Sequence, residues 1–243
     1  MRNRVVLLPG WGLGTAPLEP LAAALHDLDE HLRVQLEPLP ELTSSDPQQL
    51  LDELDVNLPE DCWLAGWSPG GMLATALAER RGERCCGLLT LASNPCFVAR
   101  EDWPAAMPVE TFQAFQQGFQ TDSAATLKRF ALLCAQGAED SRSLGRSLAA
   151  SAPQGRQEAL RSGLELLATL DNRKALQQFR GPQLHLLGSA DALVPPTLAD
   201  ALLALQPDIE IAVIESACHA FARQRPHAVA LAMQAFFNEA HDD

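Results

Sequence analysis

Six short apolar runs, each closed by turn residues, punctuate the chain: VVLLPG from Val5, VQLEPL from Val34, CWLAGW from Cys62, GLLTLAS from Gly87, QLHLLG from Gln183 and IEIAVIE from Ile209. Runs this short and this continuously apolar predict strands buried on both faces. Between them the apolar spacing widens to that of helices, in LEPLAAALHDL, GGMLATALAERR, TLADALLALQ and PHAVALAMQAFFNEA. Strand and helix in alternation predict a mostly parallel, doubly wound sheet with helices on both faces, an α/β fold. The alternation lapses from about 99 to 179, where VETFQAFQQGFQ, SAATLKRFALLCAQG, DSRSLGRSLAAS and QEALRSGLELLATL all carry helical spacing and no strand is evident. The expected organisation is a core of residues 1–98 and 180–243 with a helical cap, 99–179, inserted over the strand ends. No internal repeat, low-complexity tract or charge run interrupts it.

Chemistry concentrates in GWSPGG, residues 66–71. The G-x-S-x-G pattern is weak alone, but here it follows an apolar strand and opens a helix, the setting of a nucleophile elbow. The glycines permit a tight turn with backbone in close approach. Ser68 is therefore a candidate nucleophile, a plain turn serine being the alternative. A serine needs a base, and the base an orienting acid. In the expected chain order, Asp191 follows the strand QLHLLG and His219 follows IEIAVIE, both at the carboxyl ends where open α/β sheets place their sites. A turn-forming Asp and a loop His are the structural alternatives. His26, His31, His185, His227 and His241 are placed on helices, inside a strand or in the tail. An oxyanion hole needs two N–H donors. The glycines of LLPGWGLG would turn the N–H of Trp11 toward the site. The second donor should come from the residue after the nucleophile, but that residue is Pro69, which has no N–H; Gly70 is the next donor along.

Composition sharpens the picture. The 243 residues carry a formal charge of −13, which argues against nucleic acid or an anionic membrane as partner. Six cysteines without a CxxC pair predict reduced core thiols rather than disulfides or a zinc site. The opening, with Arg2 and Arg4 before a short apolar run, lacks the features of a secretory signal, and no stretch is long enough to span a membrane. A cytoplasmic, monomeric protein without metal or organic cofactor is expected.

These residues resemble an α/β-hydrolase, and within that superfamily the BioH-type pimeloyl-acyl-carrier-protein methyl ester esterases of biotin synthesis. The family's GWSLGG stands here as GWSPGG, its HGWGL as PGWGL, its DGLVP as DALVP and its AHAPF as CHAF. ASNPCFVAREDWP is similar to a family segment that is not a general hydrolase motif. The resemblance runs from about residue 5 to the end. It implies Ser68, Asp191 and His219 as the triad, Trp11 as an oxyanion donor, Trp67 beside the acyl chain, and Phe130 among the substrate-binding residues. It also implies that cap cations hold an acidic acyl carrier protein. Arg129, Arg142 and Arg146 match family positions, Lys128 lies beside them, and a fourth family arginine is Ala125 here. Solvated helix charges are the plainer account of the same residues. Three features depart from the family: the missing N-terminal hairpin, Pro9 in place of its histidine, and Pro69.

The implied activity is a serine carboxylesterase cleaving the methyl ester of pimeloyl-acyl carrier protein. Two alternatives stay open at this point. One is a broad short-chain esterase or a lyase on the same fold. The other is a hydrolase impaired by Pro69 that only binds.

Overall fold

The computed structural model describes residues 3–40, 46–153 and 157–242. Arg2 and the side chain of His241 lie outside the described residues. All six expected strands form: β1 (Arg4–Leu8), β2 (Arg33–Leu36), β3 (Cys62–Trp67), β4 (Cys85–Leu91), β5 (Gln183–Gly188) and β6 (Glu210–Ile214). They make one parallel sheet in the order β2-β1-β3-β4-β5-β6. β3, β4 and β5 are buried along their whole length. β2 and β6 are edges and only half-buried, so burial on both faces does not extend to them. An edge strand lacks one neighbour and meets solvent, which is why IEIAVIE interleaves charge with its apolar residues.

The core helices are α1 (Glu19–Leu28), α2 (Pro47–Asn57) and α3 (Pro69–Arg81) in the first half of the chain. α2 escapes the periodicity argument. Its start is set by Asp46, whose carboxylate accepts from Gln48 N at 2.9 Å, and by Pro47 at the first helical position. α3 is buried on nearly every side, and its C-terminal Arg81 is locked between Asp55 Oδ1 (2.7 Å) and the carbonyls of Leu58 and Pro59 (3.0 and 2.7 Å).

Four helices then depart from the sheet: α4 (Val109–Thr121), α5 (Ser123–Ala135), α6 (Ser141–Ser151) and α7 (Gln157–Thr169). Asp122 and Asp140 cap α5 and α6 by accepting from Ala125 N and Ser143 N at 2.9 and 3.0 Å. The short α8 (Arg173–Gln178) returns the chain to the sheet and packs on α3, so the last stretch of the expected cap segment lies against the core. The ASNPCFVAREDWP segment is the knot at this junction. Asn94 Oδ1 accepts from Trp103 Nε1 (2.9 Å) and its amide donates to Ala105 O (2.7 Å). Asn172, just before α8, donates from its main chain to Pro95 O (2.8 Å) and from its amide to Met72 O in α3 (2.6 Å). Arg173 stacks over Trp103 and pairs with Asp171 and Asp102. This residue-specific segment therefore ties cap to core. The chain closes with α9 (Leu198–Leu205), α10 (Phe221–Gln224) and α11 (Pro226–Asp242). All six cysteines are buried and outside any disulfide. Among the described residues no helix is long and apolar enough to cross a membrane, and no group of side chains is arranged to hold a metal ion.

Candidate active site

The strand order reverses between β1 and β3, and the loops leaving these two strands meet at that point, where open sheets bind ligands. Ser68 sits in the turn between β3 and α3 with φ 56 and ψ −123, a conformation an L-residue adopts only under constraint. Two glycines make room for it. A Cβ on Gly66 would lie 2.1 Å from the Gly70 carbonyl carbon, and one on Gly70 would lie 2.4 Å from Leu8 O at the end of β1. Ser68 N donates to Leu91 O at 2.9 Å.

Asp191 follows β5 and His219 follows β6. His219 Nδ1 and Asp191 Oδ2 are 2.8 Å apart, with both side chains wholly buried. The other carboxylate oxygen accepts from Leu193 N (2.8 Å) and Val194 N (3.0 Å), which fixes the acid for the ring. His219 Nε2 is buried and has no hydrogen-bond partner among the described residues, so the nitrogen that would receive a serine proton is uncommitted. The thiols of Cys134 and Cys218 lie near this pair. Burial first, and then the charge of Asp191, hold both in the neutral form, Cys218 being pushed up to about 11.

Ser68 opens into a cavity of about 130 Å³ under the cap. Phe97, Phe112, Phe115, Phe130, Leu164 and Trp11 are among those that wall it; of its described residues Thr111 and Ser68 alone bear a hydroxyl, and none is charged. Phe130 packs edge-on against Trp11 at 5.1 Å between ring centres. Trp11 also reaches the cap through its indole N–H, 2.8 Å from Leu160 O in α7. Its main-chain N–H makes no hydrogen bond among the described residues, and the same holds for Gly70 N. Pro69 occupies the first position of α3, and the elbow forms around it. Trp67, expected beside the acyl chain, does not line this cavity. Its indole is held between Gly10, whose added Cβ would come within 2.9 Å of the ring, and His219, whose carbonyl accepts from Nε1 at 2.9 Å. Its polar contact is with the loop that carries His219.

Lys128 and Arg129 on α5 and Arg142 and Arg146 on α6 are all exposed, and none is in an ion pair among the described residues. The two helices pack closely at Gly145, where a Cβ would lie 2.7 Å from a Leu132 methyl.

Residues 5–232 match the profile of the Alpha/beta hydrolase family. The chain belongs to that family. Among α/β hydrolases, it is 37% identical over 229 residues to a pimeloyl-[acyl-carrier protein] methyl ester esterase from Klebsiella pneumoniae, covering 89% of this chain and 86% of that one. It is 36% identical over 242 residues to a biotin biosynthesis bifunctional protein from Cellvibrio japonicus, covering 97% of this chain and 48% of that one. The chain thus spans about half of the bifunctional relative and most of the single-function esterase. Solved α/β hydrolases share the fold at low identity. An esterase from Exiguobacterium antarcticum superposes with a TM-score of 0.83 at 18% identity, covering 96% of this chain and 91% of that one. A bromoperoxidase from Bacillus anthracis gives 0.81 at 20%, covering 98% and 92%.

Gln224 escapes sequence reading, and for Trp67 the contact with the His219 loop does. Both meet the main chain of that loop, and the signal for Gln224 would have been its nearness to the candidate histidine.

Proposed function

We propose that this protein is a serine carboxylesterase that hydrolyses the methyl ester of pimeloyl-acyl carrier protein. The carrying observation is the pairing of Asp191 with a buried His219 whose Nε2 is uncommitted, beside an uncharged cavity that ends on Ser68. His219 takes the proton of Ser68 as the hydroxyl attacks the ester carbonyl. The oxyanion draws on the N–H groups of Trp11 and Gly70 and on the positive end of α3. Methanol leaves with the proton returned by His219, and water then releases the acid by the same steps reversed. A neutral, flexible aliphatic chain suits walls of phenylalanine and leucine.

The acidic carrier protein is held outside by Lys128, Arg129, Arg142 and Arg146, which are exposed and in no ion pair among the described residues. The enzyme acts as a cytoplasmic monomer, a reading supported by its six cysteines outside any disulfide as regards compartment. The test is steady-state hydrolysis of methyl pimeloyl-acyl carrier protein beside small p-nitrophenyl esters. A large preference in kcat/KM for the carrier-bound ester is expected. Equal rates on both would make the protein a general short-chain esterase, and no turnover of either would make it a binding protein.

A further inference from the structure

The loop that presents His219 leaves β6 through Ser216, at φ 53, and ends in the four-residue helix α10. Such a loop holds its shape only if its peptide groups find partners. They come from several directions. Ser189 Oγ accepts from Ser216 N at 2.8 Å, and Ala217 O accepts from Ala190 N at 3.0 Å. Trp67 takes the carbonyl of His219, and Cys134 O accepts from Ala220 N at 3.0 Å.

The Ala217–Cys218 peptide, one removed from the histidine, is held on its N–H side by a side chain. Cys218 N donates to the side-chain Oε1 of Gln224 at 2.9 Å, and the same amide donates from Nε2 to Ser216 O at 3.3 Å. Gln224 is itself fixed as the last residue of α10, with its N–H on Ala220 O at 3.0 Å. One amide thus bridges the loop from residue 216 to residue 218. Resting on the triad reading above, we propose that Gln224 is a positioning residue for His219: its carbonyl oxygen fixes the Ala217–Cys218 peptide, and so the course of the chain one residue before the imidazole. Among the described residues Asp191 alone hydrogen-bonds the His219 ring, with Trp67 packed against it, so the direction of the Cα–Cβ bond helps govern where Nε2 lies. The acceptor is the essential half. Ser216 is exposed, and water can replace the donor to its carbonyl, whereas Cys218 is buried and its N–H has no second acceptor among the described residues.

The experiment compares wild type with Gln224→Leu, Gln224→Asn and Gln224→Glu on a p-nitrophenyl ester, with melting temperatures taken in parallel. Leu removes the acceptor, Asn is too short to reach, and Glu keeps it. Leu and Asn should lose about tenfold or more in kcat at little-changed KM, the scale expected when a base is displaced by a fraction of an ångström. Glu should recover most of the rate. If Leu fails to fold, Asn carries the comparison. Wild-type kcat in Leu or Asn, a Glu variant as slow as Leu, or a loss that merely follows the unfolded fraction would each overturn the proposal. Ser68→Ala is assayed alongside: full activity there overturns the triad reading, whereas an inactive Ser68→Ala with fast Gln224 variants overturns only the role of Gln224.

Discussion

The hydroxyl of Ser93 donates a 2.7 Å hydrogen bond to the main-chain carbonyl of Ser68. That carbonyl also accepts from Gly71 N at 2.9 Å and Met72 N at 3.3 Å, so the strained serine is held from behind by three donors. The side chain of Ser68 contributes none of this support. Ser68→Ala should therefore fold with an unchanged melting temperature while abolishing ester hydrolysis. His219→Ala and Asp191→Ala should each lose most of the rate, and each should lose little more when combined with Ser68→Ala, because triad members act as a unit. Additive losses in kcat would show that one of the three is misassigned.

Pro69 removes the N–H that normally completes the oxyanion hole, while its place at the start of α3 costs the helix nothing. Losing one such donor costs about 100- to 1,000-fold in kcat. The unpaired Gly70 N offers a partial substitute. Pro69→Leu restores the regular donor and should raise kcat about tenfold or more with a smaller change in KM, since the donor acts on the transition state. An unchanged kcat in an already fast enzyme would mean that Trp11 and Gly70 suffice.

Arg142 and Arg146 lie one turn apart on α6 and face solvent. Reversing both to Glu should raise KM for carrier-bound ester and leave p-nitrophenyl ester hydrolysis nearly unchanged. The defect should narrow as salt rises, because exposed charges are screened beyond about 10 Å at 0.1 M ionic strength. Equal damage to both substrates would assign the arginines to the cap's own stability.

His185 is buried in β5 with Nδ1 2.7 Å from Thr90 Oγ1 and no partner for Nε2 among the described residues. Burial lowers its pKa to about 4. The unfolded chain therefore binds this proton more readily, and the stability contributed is complete above about pH 6.5 and lost as pH falls toward 4. At pH 5 the loss from this one group is on the order of 2 kcal/mol, or roughly 4–8 °C in melting temperature for a chain of this size. His185→Phe with Thr90→Val should shrink the drop in melting temperature between pH 7 and pH 5 by about that amount; an identical drop would place the acid sensitivity elsewhere.

How much of this was legible in the sequence follows from how each group acts. The six strands could be read because burial in a parallel sheet demands unbroken apolar runs, and Ser68, Asp191 and His219 because they follow three of those runs. α2 and α8 were not read: α2 is rich in acids and amides, and α8 is only six residues long. The hydrogen bond of Trp67 to the His219 loop was not read, since an indole beside a nucleophile can point to either side of the turn. The bond from the Trp67 indole to the His219 carbonyl joins residues 152 apart and takes only main chain from the histidine. Such contacts leave no pattern along the chain.

The uncharged cavity has a consequence for how turnover ends. An ester enters it as a neutral guest, but hydrolysis leaves a carboxylate at Ser68, where no lysine or arginine stands among the described residues of the wall. An anion stripped of water and given no countercharge is destabilised by several kcal/mol. The same phenylalanines that welcome the substrate therefore evict the product, and the free acid, once in solvent, competes poorly for the chamber it left.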